Sequence, residues 1–209
     1  MTRLILASAS PRRRELLAAL TESFEVAPSG IDEPLAGSAV ENAVALAAAK
    51  ARDVLASKPD AVVIGADTIV FLDGVSYGKP EDEDDVLRMW RELRGRPHGV
   101  VTGIAVAASG GVATGAVVSQ VTLTNLADDE IRRYAESGRP MDKAGAYAIQ
   151  DEDLPTVSQL DGCYCNVMGL PLWSLRGLLL DAGIAAREPS GRFARCATCP
   201  DRQSSRYSP

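Results

Sequence analysis

The stretch Val62-Val63-Ile64-Gly65-Ala66-Asp67-Thr68-Ile69-Val70 decides how this chain is read. Its apolar, β-branched run predicts a strand of the buried type over Ala61–Ala66, bounded by Pro59 and interrupted by Asp67. A lone carboxylate in such surroundings is costly unless it is paired, bound to a metal or exposed at a strand end. Gly65 and Ala66 keep the space beside it open. Partial burial would suit Asp67 to act as a general base, and a nearby cation would suit it to metal ligation. An aspartate in a turn between two strands is the plain structural alternative.

Elements of both kinds flank this stretch. Upstream, Arg3–Ala7 reads as a strand. Ser10-Pro11 starts a helix, with Ser as the N-cap and Pro at the first helical position. Phe24–Ala27 is a second strand, and Pro28–Gly37 is a loop containing Asp32 and Glu33. The capping box Ser38-x-x-Glu41 opens an Ala-rich helix that carries Lys50 and runs to about Leu55. Downstream, Ile69–Phe71 and Val75–Tyr77 flank the Asp73-Gly74 hairpin signal. Glu81–Leu93 reads as a helix charged to match its dipole. Long strands over Gly99–Ala108 and Val112–Thr124 follow, then helices over Ala127–Ser137 and Leu170–Ala182. The fold class is therefore α/β, around a sheet with long antiparallel strands.

Composition narrows the function. The chain has 209 residues and a formal net charge of −6. No apolar run approaches the ~20 residues of a membrane-crossing helix. Arg12, Arg13 and Arg14 stand where a signal-peptide cleavage site would be, so a cytoplasmic protein is expected. The final stretch from Arg187 to Pro209 is locally basic and poor in apolar residues, and it reads as a flexible tail behind a domain of residues 1–186. The acidic body argues against a nucleic-acid partner, whose footprint would be a basic face. A small polyanion held by a few cations remains open, as does a homodimer. Lysine is scarce, limited to Lys50, Lys58, Lys79 and Lys143, so each deserves a function as a point charge that Arg cannot imitate. Cys196-Ala-Thr-Cys199 is half of a zinc-ribbon pattern. Cys163-x-Cys165 has a different spacing and reads as buried, unreactive thiols, which leaves a metal site shared between chains as the weaker option.

Two further segments carry chemistry. Ser8-Ala9-Ser10-Pro11-Arg12-Arg13 turns a strand into a helix N-terminus and outlines an oxyanion site, the alternative being a capped surface helix with solvated arginines. Gly78-Lys79-Pro80 leaves the hairpin that begins beside Asp67, which can bring Lys79 near that carboxylate. Together with Gly65-Ala66-Asp67-Thr68, Arg96-x-His98, Asp142-Lys143-Ala144-Gly145-Ala146-Tyr147 and Gly169-Leu170-Pro171-Leu172, these motifs occur in one order. In that order the chain resembles the Maf family of nucleoside triphosphate pyrophosphatases, from residue 3 to about 184.

The resemblance implies an elongated Maf/ITPase-like mixed sheet with flanking helices and a cleft between two lobes. It implies hydrolysis of a nucleoside triphosphate to monophosphate and pyrophosphate, with Mg²⁺ or Mn²⁺ as divalent metal, in the clearance of unwanted nucleotides. By family position Asp67, Lys79 and Glu33 are the catalytic candidates, and Asp67 and Glu33 the metal candidates. Ser8, Arg13 and Lys50, with Lys79, would hold the triphosphate. Arg12, Thr68 and Gln150 stand at the base-selecting positions of the dTTP/UTP-type branch. The same reaction on a purine or 7-methylguanosine triphosphate is the alternative substrate, and a septation regulator that binds nucleotide without turnover is the alternative class. Ala148 and the run Asp151-Glu152-Asp153 depart from the family pattern and put the base pocket in question.

Overall fold

The computed structural model describes residues 3–31, 37–151 and 153–204. The strands are β1 (Arg3–Leu6), β2 (Glu25–Val26), β3 (Ala61–Leu72), β4 (Val75–Tyr77), β5 (Pro97–Ala108), β6 (Gly111–Leu123) and β7 (Val157–Asp161). They form one mixed sheet in the order β2-β1-β3-β5-β6-β7, with β4 paired to β3 off that path. Strand β1 runs parallel to β2 and β3, and the remaining pairs are antiparallel. The helices are α1 (Pro11–Leu17), α2 (Ala39–Ser57), α3 (Glu83–Leu93), α4 (Asp128–Glu136), α5 (Tyr164–Val167), α6 (Leu172–Asp181) and α7 (Asp201–Ser204).

Strand alternation distributes the core. Val62, Ile64 and Ala66 share one face with Leu4, Leu6, Ile104 and Val106, and pack on α1 and α6 through Leu16, Leu17, Leu175 and Leu179. Ala61 and Val63, with Ile5 and Ala105, face Ala47, Ala48, Ala51 and Val54 of α2. Further along the same strands, Val70, Leu72 and Val100 join a separate core with Trp90 and Leu93 of α3 and Ile131 and Tyr134 of α4. Strands β3 and β5, each 12 residues long, run through both ends and tie the lobes together.

The sequence predicts a break at Asp67, and the structure shows none. Strand β3 continues through it, with Asp67 opposite Gly103 and Thr68 opposite Thr102 on β5. The carboxylate stays in the strand because Lys50 meets it, as described below. Helix α2 begins at the expected capping box, with Ser38 and Glu41 capping each other. It lies unusually close to the sheet at two glycines. A Cβ on Gly65 would stand 2.0 Å from the Ala47 carbonyl oxygen, and one on Gly103 would stand 2.2 Å from that of Ala43. No helix among the described residues is long and apolar enough to cross a membrane.

The segment after Arg187 is also different from expectation. Instead of a flexible tail, its described residues fold into short helical turns that pack on the body. Cys196 and Cys199 enter the core beneath α1 and α6, the Trp173 indole donates to the Cys196 carbonyl at 2.8 Å, and Ser174 donates to Asp201. Low apolar content misled the reading because specific polar contacts and two buried thiols anchor the segment in place of a hydrophobic stripe.

Replacing Gly65 by Ala is expected to push α2 off the sheet and destabilise the chain by about 1–3 kcal/mol. Gly110→Ala, which meets nothing within 4 Å, is the control. Urea denaturation of both variants checks this; equal midpoints would contradict the close approach.

Candidate active site

Strand β1 pairs with β3 only as far as Leu6 opposite Ile64, and β4 joins the same edge of β3 only from Val70. Strand β5 covers the other edge throughout, from Val63 to Phe71. Residues 65–69 of β3 therefore have one edge without a neighbouring strand, beyond the carboxyl end of β1. Ligands in open α/β sheets bind in this kind of gap. A cleft of about 690 Å³ opens there.

Its walls gather the candidates. Ser8 comes from the β1–α1 turn, Arg12 and Arg13 from the first turn of α1, Lys50 from α2, Asp67 and Thr68 from β3, Lys79 from the chain after β4, and Gln150 from the segment before β7. Glu33 falls outside the described residues. Lys143 and Asp142 also line the cleft. Among the described lining residues, the cations Arg12, Arg13, Lys50, Lys79 and Lys143 face only Asp67 and Asp142 as carboxylates. A chain of net charge −6 thus carries a locally positive cleft.

Asp67 sits at its centre. Its side chain points to the α2 face of β3, where Lys50 Nζ donates to Asp67 Oδ1 at 2.6 Å. Both side chains are nearly buried, at 12% and 10% exposure. Gly65, two residues before Asp67 on the same face, lets α2 approach, and Lys50 lies one turn beyond Ala47, which Gly65 touches. The spacing 47–50 and 65–67 is what sets the pair.

Thr68 points to the opposite face and organises Arg13. The guanidinium donates from Nη2 to Thr68 Oγ1 at 3.0 Å, from Nη1 to Ser8 Oγ at 3.2 Å and from Nε to the Gly169 carbonyl at 2.9 Å. Thr68 in turn shares a hydrogen bond with Thr102. Gly169 has φ +106°, and a Cβ there would crowd Thr68 Oγ1 at 3.2 Å. The β1–α1 turn thus differs from a simple helix-end anion site: α1 spans only 7 residues, and Arg13 folds back onto the sheet.

The other wall is held differently. Arg12 pairs with Asp142 at 2.8 Å, and Lys143 pairs with it at 2.7 Å. Burial would raise the Asp142 carboxyl, but hydrogen bonds from Lys143 and Arg12 outweigh it and hold the group below its ordinary value. The chain turns sharply at Gly145 and Ala146, with φ +70° and +59°, and the Trp90 indole holds the Ala146 carbonyl at 2.9 Å. Tyr147, in the cleft wall, is braced by His98 Nε2 at 3.0 Å from its hydroxyl. Asp151 and Asp153 turn away from the cleft, to Tyr134 and Arg139 respectively, which leaves Gln150 facing it.

Sequence reasoning missed Asn166. It is fully buried and stitches the strands under the site. Its amide accepts from Thr102 N at 3.0 Å and donates to the Val100 carbonyl and to Ser119 Oγ, and its carbonyl accepts from Thr102 Oγ1. The available signal was a lone amide between Cys165 and Val167, in a run otherwise apolar. Strand β7 and helix α5 were missed with it.

The fold and the cleft define an α/β protein with a cation-rich site around one buried Lys–Asp pair. The chain belongs to the Maf family, whose model, described as Maf-like protein, matches residues 3–182. Relatives agree over most of their length. A protein of Thermomicrobium roseum is 43% identical over 202 residues, covering 94% of this chain and 93% of the relative. One from Geotalea uraniireducens is 48% identical, covering 81% and 89%, and one from Thermococcus gammatolerans is 45% identical, covering 84% and 96%. Each bears the name dTTP/UTP pyrophosphatase.

His98 supplies a pH test. Burial lowers its pKa from the ordinary 6.5, against a small opposing effect of the Arg96 carbonyl. The unfolded chain therefore binds the proton first as pH falls, so stability holds above about pH 6.5 and drops below it, by at most ~1.4 kcal/mol per pH unit. Urea midpoints from pH 7 to about 5 should fall more steeply for the wild type than for His98→Gln; parallel profiles would contradict the buried neutral imidazole.

Proposed function

We propose that this chain hydrolyses nucleoside triphosphates between the α and β phosphorus atoms, with dTTP and UTP as preferred substrates, giving the monophosphate and pyrophosphate. The observation that carries this reading is the Lys50–Asp67 pair at the unpaired edge of β3, facing a cleft with an excess of cations. The names borne by relatives that align along most of this chain support the same activity.

In this reading Asp67 accepts the proton of a water whose oxygen bonds to the α-phosphorus. The bridging α–β bond breaks, and pyrophosphate leaves with the bridging oxygen. Lys50 orients the carboxylate and adds positive charge beside the developing one, while Lys79, Arg13 and Ser8 hold the phosphates. Arg13 is positioned by Thr68 and Gly169. Arg12 and Gln150 face the base: the Gln150 amide can both donate to O4 and accept from N3–H of uracil or thymine, and Arg12, a donor only, is mismatched against the amino group of cytosine.

Mg²⁺ keeps several waters and takes one or two protein carboxylates along with substrate phosphates. Among the described residues the cleft has no cage of three or more ligands, and Asp67 is a carboxylate at its centre. This donor set fits a divalent cation that arrives with the triphosphate, held by Asp67 and, as the family position suggests, Glu33. When bound, the ion supplies charge neutralisation on the phosphate oxygens. A cytoplasmic location fits four cysteines that form no disulfide with one another.

Asp67→Asn is expected to lower pyrophosphate release from dTTP by roughly 10²–10⁴-fold, with circular dichroism confirming the fold; undiminished turnover would remove Asp67 from its role. In a panel of triphosphates at fixed Mg²⁺, the wild type should favour dTTP and UTP over purines. Gln150→Leu should narrow that preference by about tenfold, the worth of one hydrogen bond. Equal wild-type rates on purine triphosphates would contradict the base assignment.

A further inference from the structure

The cysteines play no part in the cleft, yet all four lie in one buried core. Cys163 and Cys165 flank the start of α5, and Cys196 and Cys199 lie on and just after a short turn over Ala194–Thr198. Sequence spacing separated them into two unrelated pairs; folding brings both into one buried core. Cys165 Sγ and Cys196 Sγ are 3.5 Å apart, and Cys163 neighbours Cys199 closely enough for each to act on the other's charge.

One of these sulfurs is met by a backbone donor: Asn166 N donates to Cys163 Sγ at 3.4 Å. A buried cysteine that serves only as a small apolar filler needs no such donors. An N–H aimed at a sulfur suits a metal-bound thiolate, because the outer hydrogen bond spreads the sulfur charge.

We propose that Cys163, Cys165, Cys196 and Cys199 together bind one structural Zn²⁺, fastening the segment after Arg187 to the catalytic body. Zn–S bonds of about 2.3 Å place sulfurs roughly 3.8 Å apart around a tetrahedron, close to the Cys165–Cys196 separation. The thiols stand as two pairs, and among the described residues no three ligating side chains are arranged to hold a metal; binding therefore requires side-chain rotation that draws the pairs together. The segment also needs a fastening. It has few apolar residues of its own, and segments of that kind are held by metals or disulfides. Zinc is favoured over two disulfides because the Asn166 N–H at Cys163 Sγ would have no thiolate to serve in an oxidised pair. The site is separate from the cleft and from any ion that accompanies the nucleotide, since none of the four cysteines lines that cleft.

The test uses the full chain, purified under reducing conditions and analysed for metals by plasma mass spectrometry. We expect roughly one zinc per chain, and on cobalt exchange the thiolate-to-metal band and visible spectrum of tetrahedral Co²⁺. The double variant Cys196→Ser/Cys199→Ser should lose the zinc and the cobalt spectrum, and the segment after Arg187 should become sensitive to limited proteolysis. Should that variant fail to fold, cobalt titration of the wild-type chain still decides. A reduced wild-type chain that takes up neither zinc nor cobalt through its thiols would overturn the proposal. So would zinc that persists in the double variant, or a native chain whose four thiols are consumed as two disulfides.

Discussion

The contact between Lys50 and Asp67 constrains the rest of this structure. A carboxylate in the middle of a strand buried on both faces survives only if a cation reaches it, and at 2.6 Å Lys50 does. Such a pair adds little net stability, but removing one partner would leave a buried charge unmatched, at roughly 3–5 kcal/mol. Everything that lets Lys50 arrive follows from it: the seating of α2 on Gly65 and Gly103, the opposition of Gly103 to Asp67, and the small side chains Ala43, Ala47 and Ala51 along the buried helix face.

The pleat of β3 then splits the site into two functions. Asp67 faces α2 and meets Lys50; Thr68 faces α1 and fixes Arg13, which also grips Ser8 and Gly169. Behind Thr68, the Thr102 and Asn166 hydrogen bonds extend the support to β5 and β6. One strand thus presents a paired carboxylate and an anchored guanidinium from adjacent residues. It does so where β1 has ended and β4 has not begun, so a ligand can approach its edge.

How much of this was legible beforehand depended on range. The capping box at Ser38 and Glu41, the Asp73-Gly74 hairpin and the long antiparallel strands are local signals, and the chain obeys them. The residues of the cleft were recognisable through ordered motifs, and all that lie within the described residues do line one cavity. Three features were not readable. The continuity of β3 through Asp67 depends on Lys50, 17 residues away. The role of Asn166 depends on Val100, Thr102 and Ser119. The packing of the final segment depends on Trp173, Ser174 and the thiols near residue 164. Each is a polar contact between distant segments, and hydrophobic periodicity carries no information about such contacts.

The central claim is that this cleft directs water onto the α-phosphorus of a nucleoside triphosphate. Hydrolysis of dTTP in heavy-oxygen water, with both products analysed by mass spectrometry, tests it most directly. The account predicts that the label appears in the nucleoside monophosphate and that pyrophosphate forms unlabelled. Label in the pyrophosphate, or release of inorganic phosphate in its place, would contradict it.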